Sequence, residues 1–293
     1  MDSNTPYPGP TDTRYGTKEA VRLFTSFFTA KTQRQIATTH AYFHPEQTYY
    51  ADATLGWVFH SNEALLGVWE QYMPQWGEEA KSYPVQILGD TRGAAVVMTD
   101  TPELFGGEIR GIAIIDLTDE KIVRWVDYWD GRGFGTDTAA RLRIPAEEHP
   151  GKLGADTVMP RPAPVLGAAV ERLMDAIGAE DYAQLNSLLA YDATFEDFAL
   201  RTKIRGSAAI TRYLQRASRQ LPYQNAAVVH TVGNEYGGGF EWTADNSAVP
   251  RGAATVTLDD DAQINSLSFC WDGSALDDKQ ITTLTTLAIE PRR

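Results

Sequence analysis

Apolar positions in the first half of the chain change period part-way, and the change predicts helices followed by strands. Val21, Phe24 and Phe28 recur at helical spacing after Thr17, a residue suited to cap the first helix, and Thr32 with Gln35 has capping-box spacing for a second. Ser61 opens a third helix, with Leu65, Val68, Trp69 and Tyr72 on one stripe and Pro74 at its end. Beyond it the period falls to two. Residues 85–88, 94–99, 108–117 and 121–130 are rich in β-branched and aromatic side chains and are separated by Gly-Asp, Gly-Gly and Thr-Asp turns, so they read as a meander of strands. Helices first and strands after is the α+β pattern, with about three helices packed on a curved antiparallel sheet.

The pattern then occurs again. Residues 48–65 overlay residues 193–210 without a gap, which puts Tyr50 on Phe195, Asp52 on Asp197 and His60 on Arg205. Arg110 to Leu117 matches Arg251 to Leu258, Trp129-Asp130-Gly131 matches Trp271-Asp272-Gly273, and Asp127 falls on Phe269. Three collinear matches at offsets of 145, 141 and 142 residues indicate tandem duplication. Helices are therefore expected near 166–178, 181–190 and 207–220, and strands near 225–232, 236–243, 251–258 and 263–272. The prolines at 145, 150, 160, 162 and 164 disfavour helix, so residues 133–164 read as a Pro/Gly-rich linker between domains at 1–132 and 165–293.

Composition narrows the partners. A length of 293 residues suits two domains, and 43% hydrophobic with 22% charged residues is the make-up of a folded chain with a sizeable core. No apolar run is long enough to span a membrane. A formal charge of −13 repels nucleic acid and anionic lipid, so neither is expected as a partner. The single Cys270 allows no internal disulfide or cysteine metal site, and the N-terminal residues lack a basic segment followed by an apolar one, so a cytoplasmic location is expected. His40 and His44 have helical metal-ligand spacing but lack the intervening Glu of the zincin motif, and Pro45 follows; no metal is expected. Residues Gly131 to Gly135 lack the spacing of a dinucleotide-binding loop.

Two N-terminal helices, a short strand from Thr48 to the acidic Asp52, a Gly/Ser-initiated third helix and a long meander ending in Trp-Asp resemble the nuclear transport factor two-like superfamily, particularly its SnoaL-like polyketide cyclase branch. The resemblance covers both halves. It implies two tandem cone-shaped domains, each with an apolar pocket at its mouth, and cofactor-independent chemistry such as aldol cyclisation, isomerisation, dehydration or epoxide opening, though the superfamily also contains non-catalytic binders. Carried over by position, the family's carboxylate on the last strand is similar to Asp130, copied as Asp272, and the acid ending the short strand is similar to Asp52, copied as Asp197. The pocket histidines of SnoaL-like enzymes have no match on the long strands of the first half, where His60 alone sits near the mouth.

Acid–base work needs a titratable group tuned by an apolar pocket and a donor for the developing oxyanion. The first half offers Asp52, His60, Asp127 and Asp130 as candidate acids and bases. Tyr49, Tyr50 and Tyr128 are candidate donors, and Trp57, Trp76, Trp125 and Trp129 candidate walls. Alternation along 122–130 puts Trp125, Asp127 and Trp129 on one face and Arg124, Tyr128 and Asp130 on the other, so Asp127 and Asp130 cannot share a pocket unless the strand bulges or ends before Asp130. Asp197, Asp272 and Arg205 are the second-copy candidates. Each has a structural alternative: Asp130 and Asp272 precede glycines, as turn residues do, and Asp52 could cap a loop. Trp69, on the helical stripe, reads as core.

Five of seven tryptophans lie in the first half, which favours it as the copy that binds a small molecule. The expectation is a cyclase or isomerase of an apolar, oxygenated polyketide- or terpenoid-like compound, with Asp52 and Asp130 as base and acid and Tyr50 or His60 orienting an oxygen. Epoxide opening or a pericyclic step in the same pocket is one alternative. A non-catalytic ligand-binding or scaffold protein is another. Pairing of the two halves within one chain replaces the contact that separate subunits would share, and a homodimer remains compatible with the pattern.

Overall fold

The computed structural model describes residue 7, residues 9–10 and residues 12–290; most of the N-terminal stretch considered above for a targeting signal lies outside the described residues. Helix α1 (Lys18–Thr32) starts as the sequence predicts, the Thr17 hydroxyl accepting the Ala20 N–H, and buries Phe24, Phe27 and Phe28. Helix α2 (Ile36–His40) has no side-chain cap. Thr32 remains inside α1, where its hydroxyl donates to the Ser82 carbonyl at 2.7 Å, so the capping box does not form. Strands β1 (Tyr49–Asp52) and β2 (Trp57–Phe59) form a hairpin before α3 (Asn62–Tyr72), which Ser61 caps. Then come β3 (Ser82–Gly89), β4 (Gly93–Asp100), the short α4 (Pro102–Phe105), β5 (Ile109–Thr118) and β6 (Lys121–Trp129). The linker is more ordered than its prolines suggest. Residues 136–142 precede the first of them, and α5 (Thr136–Leu142) forms there.

The second half repeats the order with α6 (Pro164–Gly178), α7 (Tyr182–Leu188), β7 (Leu189–Asp197), β8 (Thr202–Arg205), α8 (Ser207–Ala217), β9 (Ala227–Gly233), β10 (Gly237–Thr243), β11 (Arg251–Leu258) and β12 (Ile264–Trp271). A final helix, α9 (Asp278–Leu287), follows the last strand as α5 follows β6. The two six-stranded sheets have matching orders, β2-β1-β6-β5-β4-β3 and β8-β7-β12-β11-β10-β9. Meanders and hairpins are antiparallel as expected, but β1 joins β6, and β7 joins β12, in parallel, so each sheet is mixed.

Strand alternation gives each sheet two apolar faces. On β4 and β6, Ala94, Val96, Met98 and Trp125 pack beneath the helices with Phe24, Phe27 and Phe28. The opposite face, with Ala95, Val97, Ile112, Ile114 and Val126, packs on Val232, Ala253 and Cys270 of the second sheet. The halves therefore meet sheet to sheet with their helices outward. A buried polar group crosses this seam: Arg124 lies 2.6 Å from Glu241 and 3.4 Å from Asp116, Tyr128 donates to Glu241 at 2.7 Å, and His230 Nε2 lies 2.8 Å from Asp116. The seam also exchanges turn contacts. Gly131 N–H donates to Asp272 at 3.0 Å, and Gly273 N–H donates to Asp130 at 3.2 Å. Among the described residues no helix is long and apolar enough to cross a membrane.

Candidate active site

The helix-facing side of the first sheet ends in a cavity of about 120 Å³, on the order of the space that takes one benzene-sized ring. Its walls include Trp57, Trp69, Trp76 and Trp129, and its floor carries Tyr50, Asp52, Asp100, Asp127 and Lys31. Phe134 and Leu142 close it from the linker side. The Trp57 indole donates to the Leu142 carbonyl at 2.7 Å, which fixes the end of α5 over the mouth.

Asp127 is the central polar group. Tyr50 O–H donates to one of its oxygens and the Trp125 indole to the other. Burial raises its carboxyl to about 7, and the Tyr50 hydrogen bond and the nearby Lys31 charge oppose the rise. Its neighbour Asp52, the register partner across β1 and β6, is pushed by burial to about 6. Asp52 is fully engaged: one oxygen accepts the Thr54 and Leu55 N–H groups at 2.9 and 2.8 Å, the other the Trp129 indole at 2.9 Å. A second acid, Asp100, accepts from the Ser82 hydroxyl and lies 3.4 Å from Lys31 Nζ.

The second half supplies an internal control. Asp197 repeats the turn and indole contacts of Asp52, accepting the Leu200 N–H at 3.0 Å and the Trp271 indole at 3.0 Å, and adds the Tyr223 hydroxyl at 3.2 Å, with burial raising it to about 6. The Asp127 position beside it holds Phe269, which stacks on Tyr223 with ring centroids 3.8 Å apart. Tyr50 becomes Phe195 by register. Thr99 and Thr243 pair with the repeated Arg110 and Arg251, so Asp100 becomes Ala244. Arg34 and Glu180 are the positive-φ residues after α1 and α6, and Lys31, three residues earlier in its copy, becomes Ile177. Phe195, Tyr213, Phe240, Trp242 and Phe269 fill the second cone. The carboxylate shared by both copies is thus the one that holds a turn, while Lys31, Tyr50, Asp100 and Asp127 occur where the cone is hollow.

Of the residues singled out in the sequence, the structure brings together Tyr50, Asp52, Asp127, Trp57, Trp76 and Trp129. Trp125 stands behind Asp127 rather than on the wall. Asp130 is not at the cavity: it caps the turn after β6, pairs with Arg132 at 2.7 Å and accepts from Gly273. Asp272 is likewise in the seam, paired with Arg143 at 2.6 Å. Tyr49 and Tyr128 face the second half because alternation turns them away from the helices. His60 is exposed, its ring edge-on to Tyr49 at 5.3 Å, and Arg205 forms an exposed pair with Asp192 at 3.2 Å. Trp69, read as core, also lines the cavity. Lys31 and Asp100 were missed. Lys31 lies seven residues after Phe24 on the buried stripe of α1, and Asp100 extends the inward series Val96, Met98 on β4, so each is a charge at an apolar-face position.

A SnoaL-like domain model matches residues 170–265. The second half is a SnoaL-like domain. The first half shares the sheet order of this SnoaL-like domain, consistent with duplication. No curated protein matches the chain. Similar solved structures include a steroid delta-isomerase from Pseudomonas aeruginosa (15% identity, 44% of this chain, 93% of that chain, TM-score 0.35). A putative ketosteroid isomerase from Kribbella flavida (18% identity, 46% of this chain, 96% of that chain, TM-score 0.32) is another. A third is an NTF2-like protein of unknown function from Cytophaga hutchinsonii (13% identity, 38% of this chain, 88% of that chain, TM-score 0.32).

Proposed function

We propose that the first half is a cofactor-independent isomerase or cyclase that moves a proton on a small, apolar, enolisable carbonyl compound, with Asp127 as the proton carrier. The observation that carries this reading is the placement of Asp127: a carboxyl near neutral pKa in an apolar cavity, at a position that is phenylalanine in the filled copy. Asp52 has its turn N–H and indole donors matched at Asp197 in the second copy and so acts as a positioning residue that holds Trp129 and the β1–β2 turn. This moves the proton transfer from the expected base and acid, Asp52 and Asp130, to Asp127. The ring-sized cavity also favours a smaller substrate than a fused polyketide, unless α5 is displaced.

The ionised Asp127 takes a proton from the carbon next to the carbonyl; the freed electron pair forms a carbon–carbon double bond and the carbonyl pair moves onto oxygen. Return of the proton from Asp127 to another carbon of the conjugated system gives an isomer and restores the base. In a cyclisation the enolate carbon instead attacks a second carbonyl of the same molecule, and the proton passes to the new alkoxide. Tyr50 steadies Asp127 throughout by donating to it. The test is proton exchange at the α-carbon of ring-sized ketones such as cyclohexanone in D₂O, followed by NMR. Exchange well above the buffer rate that is lost in Asp127→Asn supports the reading. Ketone binding without exchange assigns the cavity to a non-catalytic binder, and exchange that survives Asp127→Asn removes Asp127 from the chemistry.

A further inference from the structure

Trp76 lines the cavity and is 7% exposed, and its indole nitrogen is buried with no acceptor. Among the described buried side chains with an unpartnered nitrogen or oxygen, Trp76 is the one on this cavity's wall. A buried N–H left without an acceptor is a net cost to the folded state. Trp76 follows the 3₁₀ turn Met73–Gln75 after α3, and Leu221 follows the matching turn Ser218–Gln220 after α8, so the second copy carries an apolar side chain at the same corner. Lys31 is the second source of free donors. Its ammonium lies 3.4 Å from Asp100 and 5.8 Å from the Phe28 ring centroid, and it carries three N–H groups on a side chain 13% exposed. Lys31 too is replaced by an apolar residue, Ile177, where the cone is filled.

We infer that Trp76 Nε1–H and the Lys31 ammonium form a donor pair for one oxygen of the ligand, the carbonyl oxygen of the ground state and the oxyanion of the enolate. This rests on the enolisation reading above and deepens it by naming the group the substrate must carry: a carbonyl oxygen on an otherwise apolar body of ring size. A donor placed where charge develops stabilises the enolate more than the ketone, which is the differential binding that lowers a barrier. The neutral indole donates without adding charge, and Asp100, 3.4 Å from the lysine nitrogen, orients it. Trp76 and Lys31 are then catalytic residues alongside Asp127, and apolar ligands without an oxygen acceptor are disfavoured because they would leave both donors unmet.

Binding of 4-nitrophenol, whose phenolate is read by its visible absorbance, tests the pair against 4-nitrotoluene as an isostere with no acceptor oxygen of the same kind. Measurements use the full chain and the Asp127→Asn variant, which holds the base in its neutral form. The donor pair predicts that Asp127→Asn binds the phenolate more tightly than 4-nitrotoluene. Trp76→Phe in that background should then weaken phenolate binding about tenfold or more while changing 4-nitrotoluene less than about twofold. Lys31→Met should do the same and raise the pKa of the bound phenol. Equal weakening of both ligands by Trp76→Phe would reduce Trp76 to a wall and overturn the pair while leaving the cavity standing. Failure of both ligands to bind overturns the pair and the functional reading together. Phenolate binding that depends on Trp76 but is equally tight in the parent and in Asp127→Asn would keep the pair and remove Asp127 as the coupled base.

Discussion

Asp127 and Phe269 occupy the same place in the two copies of the fold, each the register partner of a turn-holding aspartate, Asp52 in one and Asp197 in the other. One duplicated backbone thus tolerates a carboxyl or a phenyl ring at that point, and the choice follows whether the cone is hollow or filled. A carboxyl in the filled cone would be buried against Tyr223 and Phe240 with its charge unmet, whereas Asp127 has Tyr50, Trp125 and Lys31 around it.

If Asp127 acts as the base, its pKa sets the pH profile of exchange. Burial holds the carboxyl near 7, so the ionised base is scarce below that value. Exchange is expected to rise about tenfold per pH unit on the acid side and level off above about pH 7. A profile that is flat between pH 5 and pH 8, or one that levels off near the ordinary carboxylate range, would assign the proton transfer to another group. Trp125→Phe removes one donor to the carboxylate and should move the inflection upward.

The same raised pKa makes a statement about stability. A carboxyl whose folded pKa exceeds its unfolded value binds its proton more tightly in the native state. Its contribution is therefore complete below the unfolded pKa and is lost as pH rises through the folded one. Asp52, Asp127 and Asp197 all shift this way, to about 6, 7 and 6, so unfolding free energy should fall between roughly pH 4 and pH 7. Asp127→Asn takes one of the three out of the titration. The variant should gain on the parent by about 1 kcal/mol per pH unit across that window, measured by urea denaturation at each pH. A constant difference between the two proteins would mean that Asp127 does not titrate in this range.

Phe269 provides the complementary test, because its ring fills the space that the first cone leaves open. Phe269→Ala should destabilise the protein by about 3–5 kcal/mol, since the ring is fully buried between Tyr223, Phe240 and Phe195. Ketone exchange at a temperature where the variant is still folded should match the parent. A loss of exchange with folding intact would show that the second half takes part in the chemistry.

How far the sequence foretold this arrangement depends on what kind of signal each residue left. The α+β order, the duplication and the Thr17 and Ser61 caps were readable because periodicity and capping chemistry are local. Asp52, Tyr50, Trp57, Trp76 and Trp129 were readable as candidates because they cluster near the ends of predicted strands or helices. Asp130 misled because an Asp-Gly pair is both a strand-end acid and a turn residue, and here the turn and the seam use it. Lys31 was hidden for the opposite reason: a lysine inside a helix reads as solvated, although its place on the stripe of Phe24 and Phe28 put it on the buried side. The seam could not be read at all, since Arg124, Asp116, Glu241 and His230 meet through the docking of two sheets that no local pattern encodes.

That seam yields a last prediction. Arg124 is fully buried between Glu241 and Asp116, which come from different halves of the chain, so it ties the two sheets together through a buried polar cluster. Arg124→Met removes the cation and leaves Glu241 buried beside Tyr128 alone, with Asp116 beside His230. Removing one partner of a buried pair costs about 3–5 kcal/mol, whereas exchanging both for apolar groups of similar volume is often close to neutral. Arg124→Met should therefore unfold well before the parent, and adding Glu241→Leu should recover a large part of the loss. The coupling, obtained from a double-mutant cycle on denaturant midpoints, is expected to exceed about 1.5 kcal/mol. Additive losses would instead mean that the two side chains contribute to the seam by packing and not as a charge pair.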